Sequence, residues 1–492
     1  MEKRLILSID QGTTGTTVLV IDDSLTVVAR GYTEFPATYP HKGWMEQDAV
    51  QIWDSTLSSI EEALRVGIID PKNIAVIGIT NQRETTVLWD RSSGMPVAPA
   101  IVWQCRRTES ICKTLRDNGL SSLYHEKTGL LLDPYFSGTK LKWLLDTYDL
   151  HPRAKNGDLA FGTVDSWLLF QLTGGTVHAT DHTNASRTLL MDISTLSFSD
   201  ELLEPLGIPR AVLPDLKPSN SHFGVTRDVP FLPDGIPIHG ILGDQHAALF
   251  GQSAFAPGEA KCTYGTGAFL MLNTGEKLAK SDGGLLSTIA WTIGSEVCYA
   301  LEGSAFIAGA AVQWFRDGMR IIEKASDIEA FAQKVDDSGG LFFVPALSGL
   351  GAPYWRPEAR GLFWGITRDT TVEHMARAIL EGIALQNHAI FRLMEQESGL
   401  NLKVLKVDGG AAANNILMQF QSDILQTIIL RPENIETTAL GAGAMAALGM
   451  GIIPSKDQLK KKGKIARTFY PNMDKETVSL YTNSWEQIVK KA

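Results

Sequence analysis

Asp10-Gln11-Gly12-Thr13-Thr14-Gly15-Thr16-Thr17 lies between two apolar runs: Leu5, Ile6, Leu7 and Ile9 precede it, and Val18 to Ile21 follow. Apolar runs flanking a Gly-rich octet predict strand, tight turn, strand. A Gly-rich turn can aim consecutive backbone N–H groups at one point, and threonine hydroxyls add donors, so the stretch has the chemistry of an anion cradle. Asp10 adds a carboxylate at the strand end, where a cation accompanying a phosphate can sit. Taken alone, the same residues also read as an ordinary hairpin without a ligand.

A second copy of the design favours the anion cradle over the ordinary hairpin. Lys261-Cys262-Thr263 leads into the turn Tyr264-Gly265-Thr266-Gly267 and on to the run Ala268 to Leu272, about half a chain after the first. Two such hairpins so placed point to two similar domains, each presenting a phosphate loop to a shared cleft. A third turn, Asp408-Gly409-Gly410-Ala411, follows the strand-like Val404 to Val407. It leads to a helix with Ile416, Leu417, Phe420 and Ile424 on one face. Small residues at a strand-to-helix turn admit a nucleotide closely, and the helix start favours its negative charge.

Between these turns the pattern alternates. Asp48 can cap a helix with Ile52, Trp53, Leu57, Ile60 and Leu64 at helical spacing. Strands are predicted at Ala75 to Thr80, Thr85 to Trp89 and Ile101 to Trp103, and a helix follows Asp133-Pro134-Tyr135-Phe136 with Leu141, Leu144 and Leu145 inward. The proline-rich stretch 205–237 reads as irregular surface chain, and a strand is predicted again at Ile238 to Leu242. Such alternation defines an α/β architecture. Ala439 to Ile453, with four glycines, is too short to span a bilayer and reads as a buried helix of small residues.

With 492 residues the chain exceeds what one core supports. Its net charge of −10 argues against nucleic acid or an anionic membrane as partner, and Lys460-Lys461-Lys462-Gly463-Lys464 reads as a solvated face. The N-terminus lacks the basic-then-apolar signature of a signal peptide. Four cysteines without C-x-x-C spacing indicate neither a zinc site nor a disulfide framework, and a cytoplasmic location is expected.

Phosphoryl transfer needs phosphate positioning, a cation and a base for the acceptor hydroxyl. Asp244, at the end of the Ile238 to Leu242 strand, is the candidate base, although it also has the position of a helix N-cap. Arg83 and Glu84 form an adjacent donor and acceptor suited to gripping neighbouring hydroxyls of a small polyol. Trp103, Tyr135 and Phe269 can supply apolar contact for a carbon chain. Neither a G-x-x-x-x-G-K-[ST] loop nor a protein-kinase motif set occurs, so an ATP site in this chain is of the two-loop kind.

These blocks resemble the FGGY carbohydrate kinases over nearly the whole chain. The resemblance rests on Asp10 to Thr14, Gly78-Ile79-Thr80-Asn81-Gln82-Arg83-Glu84-Thr85-Thr86, Val102-Trp103-Gln104-Cys105-Arg106-Arg107, Asp133-Pro134-Tyr135-Phe136-Ser137-Gly138-Thr139-Lys140, Gly243-Asp244-Gln245, Tyr264 to Gly267 and Val407 to Ala411. Gly361 to Ile366 followed by His374 to Glu381 is similar to the family's C-terminal signature. The Asn81 to Glu84 and Asp133 to Phe136 blocks resemble its glycerol-specific members. The resemblance implies the two-domain actin/hexokinase-like ATPase fold, with mixed central sheets and a deep interdomain cleft.

It further implies an N-terminal domain over residues 1–250, holding the substrate and the first phosphate loop, and a C-terminal domain over 251–492, holding the second loop and the adenosine site. Glycerol would be held by Arg83, Glu84, Tyr135, Asp244 and Gln245, with Trp103 and Phe269 against its carbons. Asp244 would be the base on the primary hydroxyl, and the product sn-glycerol 3-phosphate. ATP would contact Thr13, Thr14, Gly15, Thr266, Gly309, Gln313, Gly410 and Asn414, with Asp10 and Asp244 near Mg²⁺. A homo-oligomer, dimer or tetramer, is expected. The alternatives are another sugar or polyol kinase of the same family, acting on a pentulose or a sugar alcohol, and a non-catalytic actin-like nucleotide switch; the polyol grip at Arg83, Glu84 and Asp244 favours catalysis.

The chain departs from the family at three places. Many glycerol-specific members continue the first loop as Ser-Ser-Arg, where this chain has Gly15, Thr16 and Thr17, which removes a fixed positive charge. Residues 222–237 do not resemble the Gly-Gly-Thr-Arg loop linked to fructose 1,6-bisphosphate inhibition, nor Tyr470 to Tyr481 the loop offered to a transport regulator, so neither regulation is expected.

Overall fold

The computed structural model describes residues 4–492. The first apolar runs become strands β1 (Leu5–Gln11) and β2 (Gly15–Ile21), an antiparallel hairpin that places Asp10 opposite Thr17. With β3 (Val27–Glu34), β4 (Ile74–Asn81), β5 (His222–Val225) and β6 (Pro237–Gly243) they form a six-stranded sheet in the order β5-β6-β4-β1-β2-β3. The stretch read as irregular surface chain therefore supplies an edge strand, β5. Only three of its four residues pair, with a register shift between His222 and Gly224, and so short a run carries no clear alternation. The strand expected at Ile101 to Trp103 is reduced to Ala100–Ile101, because Val102 to Cys105 turn toward the cleft.

The second sheet repeats the first. β7 (Glu259–Tyr264), β8 (Ala268–Gly275), β9 (Leu286–Ile293), β10 (Glu296–Ala305), β11 (Val404–Asp408), β12 (Ile429–Pro432) and β13 (Ile465–Phe469) run in the order β9-β10-β8-β7-β11-β12-β13. In both sheets a hairpin is followed by two parallel neighbours and an antiparallel edge: β1 pairs with β4 as β7 pairs with β11. The duplicated Gly/Thr turn is thus the visible part of a duplicated sheet, to which β9 is added.

Helix α1 (Ala49–Gly67), capped by the Asp48 side chain on Val50 N–H, covers one face of the first sheet through Ile52, Ile60 and Leu64. Helices α2 (Ser137–Thr147), α3 (Asp244–Gly251), α4 (Gly309–Asp317), α5 (Val372–Ser398), α6 (Asn415–Leu425) and α7 (Thr437–Gly449) complete the frame. The run of small residues forms α7, which packs on the other face of the first sheet together with α3. Their shared core joins Ile6, Leu19 and Val76 of that sheet to Met271, Trp291 and Ala300 of the second. Small residues are required here because backbones touch: a Cβ on Gly78 would stand 2.4 Å from the Ala442 carbonyl oxygen, and one on Gly251 2.1 Å from that of Thr437. Among the described residues no helix is long and apolar enough to cross a membrane.

Candidate active site

The two turns and the ends of β4 and β6 converge between the sheets. Strand β1 alternates, with Leu5, Leu7 and Ile9 facing α1 and Ile6, Ser8 and Asp10 facing the side of α7. Asp10 is half-buried there. Burial first, and then the neighbouring carboxylates of Asp244 and Glu436, push its carboxyl up to about 8. The turn beyond it is held by Gly12 N–H on the Gly15 carbonyl (2.9 Å), by Gln47 Nε2 on the Thr13 carbonyl (2.6 Å) and by Trp103 Nε1 on Thr13 Oγ1 (2.9 Å). Thr14 is left exposed at the tip, with its carbonyl accepting from Phe35 N–H.

β6 ends at Gly243, and Asp244 opens α3. Gly243 is the residue at the N-cap position, so Asp244 is the first helical residue and not the cap. Its Oδ1 accepts from Gln245 N–H (2.7 Å) and lies 3.0 Å from Arg83 Nε, while a third of the side chain stays exposed. No side chain fits at 243, since a Cβ would meet the Arg83 stem at 2.7 Å. Gln245, the next residue, has its Oε1 accepting from the buried ammonium of Lys261 on β7, which also donates to Thr263 Oγ1 at 3.0 Å.

Arg83 and Glu84 follow β4, with Glu84 in left-handed backbone (φ 62°). The structure ties both members of this donor and acceptor pair. Arg83 meets Glu302 of β10 with two N–H groups (2.5 and 3.0 Å), and Glu84 Oε1 accepts from Arg187 Nε (2.7 Å). Ser137 Oγ and Lys140 Nζ of α2 bond the Glu84 carbonyl, and Lys140 also reaches the Tyr135 carbonyl. The Trp103 ring meets Tyr135 edge-on at 5.6 Å and Phe269 at 6.4 Å, so the three expected aromatic residues stand together as one wall.

The other expected contacts gather at the end of the second sheet. The N-terminus of α4 closes over the second turn: Gly309 N–H donates to the Gly265 carbonyl (3.0 Å) and Ala310 N–H to that of Thr266 (3.0 Å). A Cβ on Gly309 would stand 2.6 Å from the Gly265 oxygen. Gln313 projects from α4 into solvent, exposed like Thr266 and Gly410. Gly409 needs its positive φ (84°) to pass the Tyr264 backbone, and Asn414 caps α6 through Leu417 N–H (2.9 Å). Two helix N-termini, α4 and α6, therefore flank the second and third turns; the first N–H groups of α4 are taken by the turn carbonyls, and Asn415 N–H at the start of α6 donates to Glu329 Oε1 (3.1 Å).

Asp408, at the end of β11, opens the third turn but has no role of its own in the sequence reading. Its Oδ2 accepts from Gln252 and Thr437, and its Oδ1 is buried with no hydrogen-bond partner among the described residues. Lys261, Arg187 and Glu302 also escaped the sequence reading. For Glu302 the signal is a charged residue inside an apolar run, between Leu301 and Gly303 of a buried strand; Arg187, between Ser186 and Thr188, has none.

Two sheets of one topology with their turns facing each other constitute the actin/hexokinase-like two-domain ATPase fold. The FGGY family of carbohydrate kinases matches through its N-terminal domain over residues 5–251 and through its C-terminal domain over residues 260–450. The chain belongs to that family. It is 53% identical over 492 residues to the glycerol kinase of Myxococcus xanthus, covering 99% of each chain. Its fold superposes on the crystal structure of Plasmodium falciparum glycerol kinase with ADP with a TM-score of 0.94, at 37% identity, covering 99% of this chain and 98% of that one. A xylulose kinase from Lactobacillus acidophilus shares the fold at a TM-score of 0.87 and 21% identity, with 99% and 97% covered.

Proposed function

We propose that this protein transfers the terminal phosphoryl group of ATP to a primary hydroxyl of glycerol, giving sn-glycerol 3-phosphate and ADP. The observation that carries the reading is the meeting of Asp244 with Arg83 and Glu84 at the ends of parallel strands, under an aromatic wall and opposite the Gly/Thr turns. The full-length relatives at about half identity support it.

In this reading Arg83 and Glu84 grip adjacent hydroxyls, Tyr135 and Gln245 bind the same triol, and Trp103 and Phe269 cover its carbons. Asp244 takes the proton from the primary hydroxyl as its oxygen bonds to the terminal phosphorus and the bond to the ADP oxygen breaks. With Oδ1 engaged by Arg83 and Gln245, Oδ2 serves the acceptor. Thr13, Thr14 and Gly15 of the first turn, with Thr266 of the second, hold the phosphates. Gly309, Gln313, Gly410 and Asn414 hold the rest of the nucleotide. The aromatic wall and closure of the cleft keep water, an abundant competing acceptor, away from the phosphoryl group.

Mg²⁺ fits the donor set. The Asp244 carboxylate lies near enough to help raise the Asp10 carboxyl, and an oxygen-ligated cation between the two relieves that repulsion. Such an ion takes one or two carboxylates and completes its shell with phosphate and water. When bound, Mg²⁺ supplies charge neutralisation on the phosphate oxygens. A homo-oligomeric assembly in the cytoplasm completes the proposal, as does a division into domains over residues 1–250 and 251–492.

The test is purified protein with ATP, Mg²⁺ and a panel of polyols and pentuloses, with ADP release as readout. Glycerol-dependent release is expected. Turnover on xylulose or ribulose with none on glycerol would overturn the substrate assignment.

A further inference from the structure

Arg83 and Glu84 are adjacent in sequence, yet each is fixed by a residue far away. Glu302 lies in the middle of β10, on the opposite sheet, and Arg187 follows the short helix His182–Ala185. All four side chains are buried to 2% exposure or less. Glu302 takes the Arg83 fork with both oxygens and also accepts from Arg187 Nη2 at 3.1 Å. Arg187 in turn fixes Glu84 through Nε, and its guanidinium lies over the rings of Tyr135 (5.7 Å) and Phe136 (5.3 Å). Its Nη1 is buried with no hydrogen-bond partner among the described residues.

Stability does not explain this arrangement well. A buried ion network is commonly no more stabilising than well-packed apolar residues of similar volume, because the charges must be stripped of water. What such a network does provide is orientation. A guanidinium free to rotate would lose conformational entropy on gripping a polyol, and a buried bidentate partner removes that cost beforehand. Burial pushes the Glu302 carboxyl up, but Arg187 and Arg83 outweigh it and hold the group well below the usual carboxylate range, so it stays an anion for them.

We propose that Glu302 and Arg187 are positioning residues for the polyol grip: Glu302 aims Arg83 from the opposite sheet, and Arg187 aims Glu84 and the Tyr135 ring. The pocket is then incomplete without the second sheet. This inference rests on the reading of Arg83 and Glu84 as the substrate grip.

The test is steady-state kinetics of Glu302→Gln, Glu302→Asp and Arg187→Lys, with glycerol and ATP varied separately and thermal melting as the control of folding. Glu302→Gln keeps shape and removes charge. Its KM for glycerol is expected to rise on the order of 10²-fold, the cost of a misplaced contact, with little change in KM for ATP. Glu302→Asp keeps the charge and recovers part of the loss. Arg187→Lys loses the fork that serves Glu84 and Glu302 together, and raises the glycerol KM in the same sense. If Glu302→Gln fails to fold, the charge-balanced double variant Glu302→Gln/Arg187→Met is expected to show the same selective rise. Equal increases in both KM values, an unchanged glycerol KM, or no recovery in Glu302→Asp would overturn the inference. Failure of the substrate reading looks different: the wild type would then turn over another acceptor, and the same split would be read on that acceptor.

Discussion

Replacing Gly441 by alanine should slow turnover without touching the cleft. A Cβ there would stand 1.9 Å from the Ala247 carbonyl oxygen, 2.6 Å from its carbon and 3.0 Å from Gly251 N. These are backbone atoms, so no rotamer change relieves the clash, and α3 and α7 must separate by about 1 Å in a close-packed interior. Ala247 is in the first turn of α3, the helix that Asp244 opens, so the displacement reaches the Asp244 to Arg83 contact. A misplacement of about 1 Å costs on the order of 10²-fold in rate, and overpacking of this kind about 1–3 kcal/mol in stability. The assay is glycerol-dependent ADP release with thermal denaturation alongside. Gly463→Ala is the control, since its nearest neighbour stands 3.7 Å away. Wild-type turnover and melting temperature in Gly441→Ala would refute the argument that this helix contact sets the position of Asp244.

Four further outcomes are expected. Asp244→Asn should lower kcat by about 10²–10⁴-fold while leaving ATP affinity, read by titration calorimetry, intact; wild-type kcat would remove Asp244 as base. Arg83→Ala should raise the KM for glycerol far more than that for ATP, whereas equal effects would mark a structural role. Thr17→Arg places a guanidinium opposite Asp10 on a nearly buried strand and should tighten nucleotide binding roughly tenfold, measured as Kd for ADP; an unchanged Kd would show the departure to be silent. The Lys140 ammonium is pushed down to about 8 by burial, against an ordinary 10.5. Between these values the unfolded chain holds a proton that the folded one lacks. Stability from this group therefore rises with pH, by at most about 1.4 kcal/mol per unit, and is lost as pH falls through 8. Lys140→Met should lack that rise in denaturant titrations from pH 8 to 10.5, and identical slopes would refute it.

Much of the fold was legible because its decisive pieces are local. A strand, a Gly/Thr turn and a strand declare themselves within a dozen residues, and the second copy half a chain later announced the repeat that the sheets display. The Asp48 cap and the Ile52 to Leu64 stripe were readable for the same reason. What stayed hidden depends on distance along the chain. The small residues of α7 told of close packing but not that its partner would be the first sheet. Arg83 and Glu84 were recognised as donor and acceptor, but their partners Glu302 and Arg187 lie more than a hundred residues away, and each is a single charge in an otherwise unremarkable run. The edge strand His222–Val225 was missed because four residues beside prolines carry too little pattern to separate a strand from a loop.

The placement of α7 also bears on synthesis. By the time Gly251 leaves the ribosome, every strand of the first sheet has been made, but the helix that covers Ile6, Leu19 and Val76 is still unmade and arrives only with residues 437–449. At the usual 5–20 residues per second, that face waits roughly 10–40 s for its cover. An isolated N-terminal half made to end at Gly251 would expose the same apolar strip permanently. Adding back the missing C-terminal half as a separate chain is the natural way to restore it.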